Sequence, residues 1–203
     1  MIHEVTAKTP DRALYLLKLG NERRLAWLKR KAEDPEKGER FQENRRRLTE
    51  GQHPFAVVVS CSDSRVPPEI VFQNREGDIF VVRTAGHIIG KDAAGSIEYA
   101  VAHLHTPLVV VMGHDRCGAV TAAVKGETAP GHIFNVMENI YPVVEKVKNC
   151  GGDIVSAAIT QHVLDTVAYL KKLEPICRKY YEEGKLNIIG ARCPIDTYRV
   201  EWL

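Results

Sequence analysis

Two short clusters carry side chains that could share one metal ion. Cys61-Ser62-Asp63-Ser64-Arg65 follows the apolar run Phe55-Ala56-Val57-Val58-Val59, and Gly113-His114-Asp115-Arg116-Cys117-Gly118 follows Leu108-Val109-Val110-Val111-Met112. Two thiolates and one imidazole make a Cys2His set, one of those used for catalytic zinc that keeps water in its open position. Zinc turns such a water into a hydroxide nucleophile near neutral pH. Two thiolates cancel the charge of the ion, so a further group must orient and polarise the water. Asp63 is near enough to Cys61 to accept a hydrogen bond from it, and Arg65 can clamp the carboxylate with a bidentate pair that keeps it ionised. The plainer reading of these two is a structural ion pair. Taken alone, His114 and Cys117 read as a hydrogen-bonded loop histidine and a small buried hydrophobe. The joint placement of the clusters favours a shared ion. Cys150, Cys177 and Cys193 have no ligand neighbour at metal spacing and read as structural.

The elements around the clusters explain why they should meet. Each cluster ends a short β-branched run, which a buried parallel strand would deliver to the same sheet edge. In open α/β sheets that edge is where ligands bind. An amphipathic helix is expected from Asp11 to about Ala32, with Leu14, Leu17, Leu25 and Leu28 on one face, and a charged helix from Pro35 to Thr49. Ile79-Phe80-Val81-Val82 reads as a strand after the Gly77-Asp78 turn. Asp92 is a candidate cap for a helix to about Leu104. Helices are expected from about Phe134 to Lys148 and from Gly151-Gly152-Asp153 to about Leu173. Lys185 to Ala191 reads as a core strand and Tyr198 to Leu203 as a short edge strand. The alternation predicts an α/β fold, a mainly parallel twisted β-sheet of about four parallel strands plus an antiparallel edge strand, flanked by helices. With no repeat and no linker, residues 1–203 are expected to form a single domain, with helices over 1–50 and the zinc core over 51–203.

The bulk numbers narrow the partners. The 203 residues suffice for one sizeable core. A net charge of +2 gives no reason to expect nucleic acid, and Arg45-Arg46-Arg47 lies in a Glu-rich stretch that reads as a solvated helix face. No apolar stretch approaches the ~18 residues of a membrane span, so no membrane partner is expected. The N-terminus lacks the apolar core of a signal peptide, and the five cysteines are an odd count without framework spacing. Reduced thiols in a cytoplasmic protein are expected, or in a periplasmic one if a leader had been removed.

With these residues in view, the chain resembles the β-class carbonic anhydrases. The resemblance rests on Ser60-Cys61-Ser62-Asp63-Ser64-Arg65-Val66 and on Gly113-His114-x-x-Cys117-Gly118-Ala119-Val120. It extends to Gly77-Asp78-Ile79-Phe80-Val81-Val82-Arg83, Gly95-Ser96-Ile97-Glu98-Tyr99-Ala100-Val101, Ile188-Ile189-Gly190-Ala191 and Gly20-Asn21-Glu22-Arg23-Arg24. It implies reversible hydration of CO2 to bicarbonate and a proton through zinc-bound hydroxide, with one Zn2+ per chain on Cys61, His114 and Cys117 and with Asp63 and Arg65 as catalytic dyad. It further implies a substrate pocket of Gln52, Phe80 and Tyr99, built at the interface of a homodimer or homotetramer, with the N-terminal helices packing on the partner chain. An apolar slot with one amide donor also suits an uncharged linear molecule.

Departures from the family pattern lie beside the pocket. Arg83-Thr84-Ala85-Gly86-His87 stands where the family usually reads Arg-Asn-Ala-Gly-Asn. An imidazole at His87 could relay a proton outward, unless it is an ordinary surface or turn histidine. Some members have a closed state in which the aspartate takes the metal, stabilised by bicarbonate on a Trp, an Arg and a Tyr. Val58 and Cys193 occupy two of those positions and leave only Arg83, so the open arrangement, with Asp63 on Arg65, is expected. The nearest rival activity is COS or CS2 hydrolysis on the same scaffold, whose members tend to show Cys-Met-Asp where this chain has Cys-Ser-Asp. A second rival is a non-catalytic zinc protein with a closed site.

Overall fold

Residues 9–203 are described by a computed structural model, and they group into two compact units, 9–51 and 52–203. In the first unit, helix α1 (Pro10–Ala32) starts on Thr9, whose hydroxyl accepts from the Arg12 amide, and carries Lys29, Arg30 and Lys31 in its last turn. That polarity suits the helix dipole. Helix α2 (Gly38–Glu50) packs on it through Trp27 and Phe41, edge to face at 5.7 Å. Glu43 and Glu50 pair with Arg46, as a solvated charged face should. Leu14, Leu17 and Leu25 of the expected apolar face remain more than half exposed.

The second unit is built on a five-stranded sheet ordered β2-β1-β3-β4-β5, with β1 at Ala56–Cys61, β2 at Ile79–Thr84, β3 at Leu108–His114, β4 at Asn187–Cys193 and β5 at Glu201–Trp202. The first four run parallel and β5 is antiparallel. Every residue of β1 is buried, which is why its sequence shows no polar alternation. Alternate side chains serve two layers. Val57, Val59, Val109, Val111 and Ile188 pack on helices α4 (Lys91–Ala102), α8 (Ile154–Lys172) and α9 (Ile176–Glu182), whereas Val58, Val110 and Met112 pack beneath the short α3 (Pro68–Val71) and residues after β4. A third cluster joins Cys61 and Cys117 to α5 (Gly118–Lys125), α7 (Tyr141–Val147) and α8.

Three expected elements differ in detail. The helix expected over 134–148 is two, α6 (Ile133–Glu138) and α7, because Pro142 lacks an amide hydrogen and is accommodated only in a first turn. Helix α4 begins at Lys91 with Gly90 as its cap, so Asp92 sits inside the first turn, where its charge still suits the dipole. Strand β4 lies two residues later than expected, bringing Arg192 and Cys193 into the sheet beside Gly113 and His114.

The strand order has a functional consequence. From β1 the chain first crosses to β2 on one side, then returns past β1 to β3 on the other. The C-terminal ends of β1 and β3 therefore flank a topological switch point, the crevice where open α/β sheets take ligands. Cys61 ends β1 and His114 ends β3.

Candidate metal centre

Cys61, His114 and Cys117 are all buried, and their ligand atoms lie within 4.8 Å of one another. Parallel pairing of β1 and β3, with Ser60 opposite Met112, fixes the first two. The third arrives by a tight return. Arg116 adopts a left-handed φ of 53°, and Cys117 becomes the N-cap of α5. The Val120 and Ala119 amides at the start of that helix favour the Cys117 thiolate.

The electrostatics suit a divalent ion. The neighbouring Cys117 thiol is the largest influence on Cys61 and favours its thiolate. Burial opposes this, while the Asp63 and Gly86 amides reinforce it, and the Cys61 thiol comes down well below its ordinary value. The same contact, together with burial, pushes Cys117 up. A metal ion would take each sulfur as a thiolate, in place of its proton. His114 Nδ1 lies 2.8 Å from the Asp115 carbonyl oxygen, which can only accept, so Nδ1 carries the proton and Nε2 has the lone pair. Nε2 is buried with no hydrogen-bond partner among the described residues. Two buried sulfurs and an orphaned imidazole nitrogen within 4.8 Å of one another are the donor set of a Cys2His zinc site.

Asp63 and Arg65 border this set. Arg65 donates from Nε to Asp63 Oδ1 at 2.9 Å and from Nη2 to Oδ2 at 2.6 Å, and its own amide adds a bond to Oδ1 at 3.0 Å. The Arg65 side chain, then its amide, hold the Asp63 carboxyl well below the usual carboxylate range against an opposing effect of burial. Asp63 Oδ2 is 4.0 Å from His114 Nε2, so the carboxylate stands at the mouth of the donor set while paired to Arg65. Arg65 is itself pinned, since Nη2 reaches the Arg116 carbonyl and the Tyr198 hydroxyl donates to the Arg65 carbonyl at 2.7 Å. Arg83 donates to the carbonyls of Cys61 and Asp63, so its guanidinium is committed to the loop backbone.

The other expected site residues fall elsewhere. Phe80 pairs in register with Val57, whereas Cys61 pairs with Thr84. Four residues of strand separate the two positions by about 13 Å. The Tyr99 ring lies beside that of Phe80, 6.4 Å between centroids, and Gln52 precedes β1, exposed. All three therefore sit towards the opposite end of β1 and β2 and do not line the metal centre of their own chain. His87 requires a correction. It is only 2% exposed, stacks on His162 at 4.2 Å, and its Nε2 has no partner among the described residues. Burial, then the neighbouring His162 and His114, hold its pKa well below the ordinary histidine value. A relay needs a titrating nitrogen in reach of water, and His87 is a core residue. Thr84, the other departure, closes the turn by donating to the Ile88 carbonyl at 2.7 Å.

Two partners escaped the sequence reading. Arg192 donates to Asp115 Oδ1 from Nε (2.8 Å) and Nη2 (2.6 Å), while Nη1 reaches Ser156 Oγ at 2.8 Å and Thr160 Oγ1 at 3.3 Å on α8. This holds the residue whose carbonyl fixes the His114 tautomer. His162 Nε2 donates to the Gly86 carbonyl at 2.9 Å, and the Gly86 amide donates to Cys61 Sγ at 3.3 Å. Asp115 could have been suspected from its place beside His114. Nothing in the sequence links residue 162 to residue 86.

Comparison with known proteins gives a consistent picture. The carbonic anhydrase family model matches residues 56–200. Carbonic anhydrase 2 of Mycobacterium tuberculosis is 40% identical over 194 residues, 94% of this chain and 91% of that protein. A carbonic anhydrase of Mycolicibacterium smegmatis is 42% identical over 163 residues, 78% of this chain and 79% of its own length. Among solved structures, the tetrameric β-carbonic anhydrases of the filamentous ascomycete Sordaria macrospora superpose with a TM-score of 0.78 at 25% identity, covering 95% of this chain and 97% of theirs. The Coccomyxa β-carbonic anhydrase in complex with acetazolamide superposes with a TM-score of 0.75 at 25% identity, covering 91% and 84%.

Proposed function

The chain belongs to the β-class carbonic anhydrase family, and from that premise we propose that it interconverts CO2 and bicarbonate at one zinc ion held by Cys61, His114 and Cys117. The observation that carries the proposal is the convergence of these three donors at the switch-point edge, with an ionised, arginine-clamped carboxylate beside them. Bound there, zinc supplies the Lewis acidity by which water delivers a hydroxide nucleophile near neutral pH, as in carbonic anhydrases with three histidine ligands, where the water has a pKa of ~7.

The remaining steps belong to the protein. Asp63 accepts a hydrogen bond from the attacking water and so turns an oxygen lone pair towards the carbon of CO2. Arg65 keeps that carboxylate ionised and unable to donate in its place. The buried walls around Cys61 and Cys117 keep the donors out of bulk water, which strengthens each of these interactions. Gln52, Phe80 and Tyr99 complete a substrate pocket only in a homodimer or homotetramer, where a second copy lends them to the metal centre of the first. The half-exposed leucine face of α1 supports packing of the N-terminal helices on that copy. No helix among the described residues is long and apolar enough to cross a membrane. The five free thiols, none paired, suit a reducing compartment such as the cytoplasm.

The test is the zinc content of the purified protein and its CO2 hydration rate between about pH 6.5 and 9. One zinc per chain and turnover that persists towards neutral pH are expected, with both lost in the Cys61→Ser variant. Zinc-loaded protein that is inert to CO2 but hydrolyses COS would overturn the substrate, and inertness to both would indicate a closed site.

A further inference from the structure

His162 lies on the apolar face of α8, among Ala158, Ile159, Val163 and Val167, and is 5% exposed. A histidine in such a face is expensive to bury unless its polar atoms find partners. The partner here is the Gly86 carbonyl, at 2.9 Å from Nε2 and 76 residues away in sequence. The carbonyl can only accept, so the imidazole is the Nε2–H tautomer, and burial keeps it neutral.

Gly86 is an unusual residue to be held from outside. It sits at the centre of the Ala85–His87 turn, with φ of 62°, and His87 follows with φ of 48°. Gly86 takes up the left-handed region freely, whereas His87 persists there only where its surroundings over-determine it. The turn's own bonds are the weak Ile88 amide to Ala85 at 3.4 Å and the Thr84 hydroxyl to Ile88. Space around Gly86 is also closed, since an added Cβ would stand 3.2 Å from both Ala119 Cβ and Ile140 Cδ1. Its amide donates to Cys61 Sγ at 3.3 Å. The stacked His87 ring, 4.2 Å from that of His162, covers the anchor.

We propose that His162 is a positioning residue for the metal centre: it grips the Gly86 carbonyl from α8 and so keeps the Gly86 amide aimed at the Cys61 sulfur. The inference rests on Cys61 being a zinc ligand. An amide donated to a ligating thiolate disperses its charge and fixes its direction, the usual work of groups behind a metal ligand, whose removal weakens metal binding about 10–100-fold. A residue that only filled the core would be replaceable by any ring of the same size.

The experiment compares wild type, His162→Phe and His162→Gln by competition for zinc against a chromophoric chelator, and by the thiolate-to-metal absorption of the cobalt-substituted proteins. His162→Phe keeps a planar ring but cannot donate, and His162→Gln keeps a donor of similar reach on a flexible arm. We expect His162→Phe to bind zinc about 10–100-fold more weakly with a shifted cobalt band, and His162→Gln to recover most of both. Wild-type affinity and spectrum in folded His162→Phe overturn the inference, as does equal weakening in the two variants. If His162→Phe fails to fold, His162→Gln decides: near-wild-type affinity supports the role and a loss like that expected for Phe overturns it. Wild-type protein that takes up no zinc would instead overturn the metal assignment itself, before any variant is compared.

Discussion

Val163 of α8 rests on two glycines of neighbouring strands, and that seat makes a sharp prediction. A Cβ added at Gly113 would lie 2.7 Å from Val163 Cγ2 and 3.3 Å from Ile159 Cγ2, and one added at Gly190 would lie 2.9 Å from Val163 Cγ1. Ordinary carbon contacts are about 3.5–4.0 Å, so Gly113→Ala must push β3 and α8 apart by about 1 Å. Overpacking of this kind costs about 1–3 kcal/mol, which for a chain of this size lowers Tm by roughly 2–12 °C. The displaced backbone is the residue before His114, so zinc affinity should fall as well. Val163→Ala alone removes two buried methyl groups, at about 0.8 kcal/mol each plus a cavity term. In the double variant the new methyl enters the space the old ones left, so the two losses should fall short of their sum by about 1 kcal/mol or more. Thermal unfolding of all four chains, at fixed protein and free zinc concentrations because both shift Tm, measures this directly. Additivity within about 0.5 kcal/mol, or a Gly113→Ala chain that melts with wild type, would refute the packing argument.

Further predictions concern the groups around the donors. Arg65→Ala should let the Asp63 carboxyl return upward towards its ordinary range and lower CO2 turnover. The native carboxyl is depressed, so the pair stabilises the fold above about pH 4 and that contribution fades as pH falls through the depressed value. Urea unfolding of the metal-free proteins should therefore show a wild-type advantage at neutral pH that closes in strong acid; an advantage constant with pH would count against the pair. Arg192→Met keeps an unbranched apolar stem but removes the donors that hold Asp115, and should weaken zinc binding about 10-fold by loosening His114. Chelator competition measures it, and an unchanged affinity would make the Arg192–Asp115 contact purely structural.

What the sequence disclosed depended on how locally each feature is encoded. Strands β1 and β3 were legible because short β-branched runs such as Val57-Val58-Val59 suit a parallel strand buried on both faces, and their ends carried Cys61 and His114 to one edge. Asp63 and Arg65 were legible because their contact spans two residues of one loop. The break between α6 and α7 turned on how Pro142 is accommodated, which periodicity over 134–148 does not register. His87 read as a candidate proton relay or else an ordinary surface or turn histidine, yet its burial is decided by α8, which lies far along the chain. Arg192 and His162 reach their partners across 77 and 76 residues, and no local pattern marks either. Phe80 pairs with Val57, four positions before Cys61, a separation that follows from strand register and not from its neighbours in sequence.

The long-range origin of the donor set also bears on kinetics. Cys61 and His114 come together only when β1 pairs with β3, contacts that join residues such as Val57 and Val109. Non-local parallel pairing forms late and slowly, because loop closure must precede its reward. A chain still searching for that pairing has no place where the three donors converge, so metal has little to grip before the barrier is crossed. Zinc should accordingly leave the refolding rate nearly unchanged and slow unfolding instead, acting as a lock on the finished sheet and not as a template for it. Stopped-flow refolding with zinc added before or after the folding jump would separate the two, and a marked acceleration by early zinc would mean that the donors gather sooner than the sheet does.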